Sequence, residues 1–180
     1  MGGVLTANAD VLTQFKQNQQ VQMQEFTKFV QNGFLFRLFM LGKLPMGVVA
    51  GLRVKKITAE SCEVTVPYRW MNTNPFQSTY FAVLSMAAEM STGLMSLMAT
   101  YKSSPSVSML VTHIEADFTK KATGLTTFTC NDGDKIFKAV DDAVITGEGI
   151  NIQTECIGRN KAGEEECRFR VTWSFKMRAK

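Results

Sequence analysis

The sequence predicts an α+β domain in which a curved antiparallel sheet wraps one long buried helix. Three observations carry this prediction. Helix-like and strand-like runs are segregated along the chain rather than alternating. The stretch Tyr80–Met98 is apolar on nearly every face, and such a helix belongs in the middle of a core. The last segment alternates cleanly. Cys167, Phe169, Val171, Trp173, Phe175 and Met177 take one side and Arg168, Arg170, Thr172, Ser174, Lys176 and Arg178 the other, as in an antiparallel sheet covered on one face.

The elements follow in order. Residues 8 to 42 read as helix, because Phe15, Phe26, Phe29, Val30, Phe34, Leu38 and Leu41 recur at spacings of three and four. Gly42 is the expected terminator and Pro45 blocks continuation. The expectation is an arm, residues 1–47, packed on the sheet of a single domain, residues 48–180. A lipid-facing cover for a pocket is the alternative use of its phenylalanines. A hairpin comes next, with Leu52 and Val54, then Cys62, Val64 and Val66 alternating with polar neighbours. Pro67 ends it. Trp70 to Gln77 is a loop, and Ser78 or Thr79 supplies the cap of the apolar helix. Strands are expected over 108–121, 125–130, 149–160 and 165–178. A short amphipathic helix with Ile136, Phe137, Val140 and Val144 on one side interrupts them. Asn160-Lys-Ala-Gly163 closes the last hairpin, with Gly163 at a positive-φ position.

Composition narrows the function. The chain has 180 residues, 45% hydrophobic and 20% charged, with net charge +4, which fits one globular domain. Its basic residues are scattered without an aromatic-basic motif, so nucleic acid is not an expected partner. Cys62, Cys130, Cys156 and Cys167 lie far apart and only one histidine, His113, is present. That argues for buried free thiols and no metal site. The polar, Gln-rich start carries no visible signal peptide. Met1-Gly-Gly-Val-Leu-Thr6 fits an N-myristoylation pattern in form only. Phe34–Gly51 is interrupted by Arg37, Lys43 and Pro45, and Tyr80–Met98 contains Glu89 and many small polar residues. Neither reads as a membrane span, so the expectation is a cytoplasmic protein with no membrane partner.

Glu89 is the one charge between Arg69 and Lys102. An ionised carboxylate in such surroundings costs several kcal/mol unless it is paired or solvated from a cavity. Either a partner neutralises it, a strand side chain, a tyrosine or a second subunit, or a pocket reaches it and makes it a site. His113 is expected at a surface or edge, sharing a face with Val111, Glu115 and Asp117. Ser85 and Ser91 have no histidine close in sequence, so a Ser-His-Asp arrangement has no support.

The layout resembles the hotdog fold over most of the chain, from about Val48 to Met177. Three features carry the resemblance: Asn72-Thr-Asn74-Pro-Phe-Gln-Ser78 with Glu89 beyond it, the strand Val107–Lys121 ending in Phe118-Thr-Lys-Lys-Ala-Thr-Gly124, and the hairpin at Gly163. The chain is most similar to a branch of the acyl-CoA thioesterase superfamily related to phenylacetate-type and 4-hydroxybenzoyl-CoA-type enzymes. The resemblance implies a homodimer, or a dimer of dimers, with sites at the subunit interface. It also implies hydrolysis of a fatty or aromatic acyl-CoA, with no cofactor beyond the coenzyme A carried by the substrate. Carried over residue by residue, Glu89 is the base or nucleophile. The backbone N–H of Ser78 or Thr79 polarises the thioester carbonyl, and Asn72 or Asn74 orients water or substrate. Lys120 and Lys121 could meet the phosphates. The pattern also departs here. Relatives commonly carry His-Gly-Gly before the helix, with the acid eight residues after the first glycine. This chain has Gln77-Ser78-Thr79, Met86 eight residues past Ser78 and Glu89 eleven past it. If the helix starts are equivalent, methionine holds the catalytic position. If they are not, Glu89 is in register. A non-catalytic module binding an acyl chain or acyl-CoA is the alternative, and a purely structural dimer the third reading.

Overall fold

A computed structural model describes the backbone of residues 2–178 and the side chains of residues 12–178. The N-myristoylation match, Met1 to Thr6, lies outside the residues whose side chains are described. Three helices open the chain, α1 (Gly2–Gln31), α2 (Gly33–Lys43) and α3 (Pro45–Ala50). Strands β1 (Arg53–Ile57) and β2 (Cys62–Val66), a single 3₁₀ turn over Trp70–Asn72 and helix α4 (Phe81–Thr100) follow. The rest is β3 (Val107–Phe118), β4 (Thr126–Cys130), α5 (Gly133–Thr146), β5 (Ile150–Arg159) and β6 (Glu165–Met177). The six strands form one antiparallel sheet in the order β1-β2-β4-β5-β6-β3.

The sheet curls around α4, as its uniformly apolar sequence demands. Ala87, Ala88, Ser91, Thr92 and Ser96 are fully buried, and their small side chains let the strands approach closely. The hydroxyls of Ser91, Thr92, Ser96 and Thr100 donate to carbonyls of the preceding helical turn. In this way polar atoms are tolerated in the core. Across from them lie Val64, Val66, Phe128, Cys156, Phe169, Val171 and Phe175, all essentially without exposure. All four cysteines are free and buried. Helix α4 is the one described helix long and apolar enough to cross a membrane, and it is mostly buried as this core.

The arm differs from the single helix expected. It breaks at Asn32, whose side chain accepts from the Leu35 N–H (3.2 Å) and starts a new helix. Gly42 does not stop α2; Leu44 does, at φ −141°. Pro45 then begins α3 at its first position, where its missing N–H costs nothing. The arm also packs on helices as well as on the sheet. Phe15, Phe26 and Val30 are buried, Gln19 donates to the Ala99 carbonyl (2.9 Å), Phe26 meets Tyr101 and Lys16 pairs with Asp141 of α5. The glycine at 133 fits α5 against the β1–β2 turn, since a Cβ there would lie 1.9 Å from the Ala59 carbonyl oxygen.

Strand β3 is an edge strand paired only with β6. Its register slips between Val111 and His113, an extra residue that reverses the side-chain alternation. Val111 therefore lies opposite buried Trp173 on the inner face, while His113, Glu115 and Asp117 lie outside. This corrects the shared face expected for Val111 and His113. The histidine is a surface residue, 3.5 Å from Glu115. Beyond the slip, Ile114 and Phe118 occupy inner-face register positions yet stay 43% and 50% exposed. Within this chain that stretch of sheet is uncovered.

Candidate active site

The chain leading into α4 is built by asparagines. Asn72 is 1% exposed, and its amide donates to the Ala50 and Pro67 carbonyls (2.8 and 2.7 Å). Asn74 Oδ1 accepts from the N–H groups of Phe76 and Ser78 and from the Ser78 hydroxyl. Gln77 takes a left-handed φ of 57°, where a residue other than glycine is strained. The helix starts later than expected. Its cap is Tyr80, with no side-chain cap bond, and Phe81 is its first residue.

This changes which backbone donors are free. The Ser78 N–H is held by Asn74 (3.2 Å) and the Thr79 N–H by the Ala122 carbonyl (2.7 Å). Neither can polarise a substrate as expected. Asn72, expected to orient water or substrate, is instead a buried pin with no surface to offer. The N–H groups of Val83 and Leu84 return to the Tyr80 carbonyl. Those of Phe81 and Ala82 have no partner among the described residues, as the first turn of a helix leaves them. Sequence reasoning missed these two because it placed the cap at Ser78 or Thr79.

A pocket of about 820 Å³ opens at this head of the helix. Asn74, Ser78, Thr79, Phe81, Phe118, Lys120 and Lys121 are among its walls. Lys120 pairs with Glu164 (2.7 Å) and Lys121 donates to the Phe76 carbonyl (3.3 Å). The Thr79 hydroxyl is buried without a partner among the described residues.

Glu89 is not in this pocket. It lines a separate apolar cleft of about 210 Å³ with Phe36, Phe39, Met40 and Leu44 of the arm, Gly93, Leu94 and Leu97 of α4, and Met109 of β3. The carboxylate is half-buried and has no hydrogen-bond or ion-pair partner among the described residues. Burial alone pushes its pKa above the ordinary glutamate value. Within this chain, the described residues leave a carboxylate reached by a cleft, not one sealed against a basic neighbour. Gly93 makes the room. A Cβ there would stand 3.0 Å from Glu89 Oε1 and 3.2 Å from the Trp173 ring. A mid-helix glycine costs about 1 kcal/mol relative to alanine, so the space is held against propensity. The Trp173 indole is fixed in turn by its N–H to Thr92 Oγ1 (3.0 Å).

A second acid, Glu166, has its pKa raised, first by burial. Its carboxylate accepts from the Thr126 hydroxyl (2.6 Å). Alternation from Cys167 places it outside, but the register slips between Gly158 and Arg159 opposite it and turns it in. No cluster of three or more metal-ligating side chains occurs among the described residues.

Solved structures share this fold. A Pseudomonas aeruginosa protein described as of unknown function and a probable thioesterase superposes with TM-score 0.69 at 19% identity, over 79% of this chain and 93% of its own. A Chlorobaculum tepidum protein of unknown function gives 0.68 at 17%, over 87% and 94%. A Haemophilus influenzae thioesterase gives 0.55 at 15%, over 78% and 88%. No curated protein matches the chain. The hotdog fold expected from the sequence is the fold of this protein. The model of one family, described as a domain of unknown function (DUF4442), matches residues 33–175, so this hotdog chain belongs to that family.

Proposed function

We propose that the protein is a homodimeric thioesterase that hydrolyses a fatty or aromatic acyl-CoA, with Glu89 as base or nucleophile. One observation carries this reading. An unpartnered carboxylate of raised pKa faces an apolar cleft, on the same helix that presents free N–H groups at its head. As a base, Glu89 takes a proton from water while the oxygen attacks the thioester carbon. The C–S bond then breaks, the acid leaves, and coenzyme A departs as its thiol. As a nucleophile, the carboxylate forms a mixed anhydride that water opens. In both routes the free N–H groups of Phe81 and Ala82, with the helix dipole behind them, favour the developing oxyanion.

The geometry favours two chains. Glu89 lies eight residues past Phe81, the first residue of the helix, and this spacing supports the glutamate over Met86 as the acting residue. Eight residues are about 12 Å along a helix axis. No single thioester meets both the N–H of Phe81 and the carboxylate of Glu89 within one chain. A partner pairing along the free edge of β3 would cover Ile114 and Phe118. It would also bring the head of its own α4 towards Glu89 of the first chain. Lys120 and Lys121 then flank the coenzyme end of the larger pocket. Four free thiols suit a reducing compartment, in line with a cytoplasmic site of action.

The binding-only alternative draws on one feature. No glycine stands between Met71 and Tyr80, so side chains limit how closely a carbonyl approaches the backbone. Incubating the purified protein with a panel of acyl-CoAs and a thiol-reactive dye decides between them. Glu89→Gln should lower thiol release by about 10²- to 10⁴-fold. Release undiminished in that variant removes Glu89 from catalysis, and no release from any substrate leaves the binding module.

A further inference from the structure

The flank of α2 turned away from the Glu89 cleft has no cover among the described residues. Phe34 is 73% exposed, Leu38 52%, Leu41 57% and Met46 of α3 62%. Phe34, Leu38 and Leu41 share a shallow groove with Arg37 and Val48, none of which lines the Glu89 cleft. A helix apolar on nearly all sides is normally buried, and an exposed patch of this kind marks an interaction site. The next segment extends it. Asn72 ties the 3₁₀ turn to the Ala50 carbonyl at the end of α3, which sets Trp70 and Met71, also exposed, close by.

The segment that carries this flank has charge of one sign along the sequence, although Lys55 pairs with Glu63 (2.8 Å). From residue 26 to residue 59 the chain holds Lys28, Arg37, Lys43, Arg53, Lys55 and Lys56 and no acid. The remainder of the chain is net acidic. Arg37, Lys43 and Arg53 are exposed, and no acid pairs with them among the described residues. We infer that the outer flank of α2 and α3 docks on an anionic bilayer surface, with Phe34, Leu38, Leu41 and Met46 in the interface and the basic residues against the headgroups.

A short apolar helix rimmed by lysine and arginine lies in the headgroup region and is drawn there by anionic lipid. The sequence argument against a membrane concerned crossing one, and the charges that interrupt Phe34–Gly51 are no obstacle to lying on it. A second copy of the chain is the rival occupant. A two-fold contact sets a surface against itself, and here it would oppose like charges. The free edge of β3 offers a copy a better place. The docking does not rest on the hydrolase reading.

The test is co-sedimentation of the full chain, without substrate, with phosphatidylcholine vesicles and with vesicles about one-third phosphatidylglycerol. Binding is expected to the anionic vesicles, weakening as salt rises. Replacing Leu38→Asp and Leu41→Asp together should weaken it by about 10-fold or more. The Arg37→Gln, Lys43→Gln pair should weaken it several-fold and is exposed enough to fold should the aspartate pair not. No binding to anionic vesicles overturns the proposal, as does binding that both folded variants retain. An aspartate pair that turns a dimer into a monomer also overturns it, by giving the flank to another copy. Since no substrate is present, none of these results bears on hydrolysis.

Discussion

The two ends of the first nine residues of α4 are opposites. At its head, the polar groups of the leading loop are nearly all engaged: Asn72 on two carbonyls, Asn74 on Ser78 and Phe76, Thr79 on Ala122. Among the described residues, the backbone donors of Phe81 and Ala82 are left open beside a roomy pocket, together with the buried Thr79 hydroxyl. Eight residues on, Glu89 has no partner among the described residues and sits in a small, apolar cleft. One end is tied down and offers hydrogen-bond donors; the other carries a carboxylate whose burial raises its pKa. On the proposed reading each end supplies half of a hydrolytic site, and the helix keeps the halves about 12 Å apart, too far to serve one substrate in one chain.

The sharpest way to break this comparison is to delete the donor at the head while keeping the helix. Phe81→Pro does so. Proline is tolerated as first helical residue, and Tyr80 at φ −61°, ψ 132° already has the extended geometry a following proline requires. Thiol release should fall by about 10²- to 10³-fold, with circular dichroism unchanged. Refolding this variant together with Glu89→Gln should then restore about one quarter of wild-type activity, because half the dimers are mixed and each has one intact shared site. No recovery would mean that both halves act within one chain.

Stability should respond in opposite directions at the two ends. Asn72→Ala leaves the buried Ala50 and partly buried Pro67 carbonyls without this donor and should destabilise by about 2–4 kcal/mol in urea unfolding. Glu89→Gln should instead stabilise at neutral pH while activity is lost. The sign follows from linkage. Burial raises the folded-state pKa of Glu89 above 4.5, so the folded protein holds this proton more tightly than the unfolded chain. Stability is full below the ordinary value and is lost as pH rises through the raised one. A tenfold difference in proton affinity between folded and unfolded chains corresponds to about 1.4 kcal/mol. Unfolding curves of wild type and Glu89→Gln should therefore diverge between pH 4.5 and neutrality. Glu166, raised in the same direction, is common to both proteins and drops out of the difference.

The smallest effect belongs to the strained residue before the helix. Gln77→Gly relieves a left-handed backbone but frees the unfolded chain, so a net gain under about 1 kcal/mol is expected in the unfolding midpoint. A loss there would show that the Gln77 side chain holds the loop.

Much of the architecture was legible because it rests on periodicity. The alternation of β6, the continuous apolarity of α4 and the spacing of Ile136, Val140 and Val144 in α5 each specify an element and a buried face. One misreading occurs where a single residue changes the count: the extra residue in β3 put Val111 and His113 on opposite faces. The slip opposite Glu166 turned that acid inward in the same way, at a residue the sequence had not singled out. No side-chain pattern announces such slips. In the arm, Asn32 competed for a backbone N–H and ended a helix that hydrophobic spacing alone would continue. At the site, Glu89 was legible as an anomaly of charge. Its cleft was not, because its walls come from residues 36–44, 89–97 and 109.

Taken alone, the sequence determined that a sheet with one apolar face must close over one apolar helix, and that Glu89 would be in that helix. Burial of apolar surface is the main force driving the chain to fold, and its pattern is written locally. Tertiary structure decided which backbone donors stay open, that Glu89 and the head of its helix face different cavities, and that α2 leaves one apolar flank outside. Those outcomes depend on the positions of segments distant in the chain, and on the hydrogen bonds that join Asn72 to Ala50 and Thr79 to Ala122 across the fold.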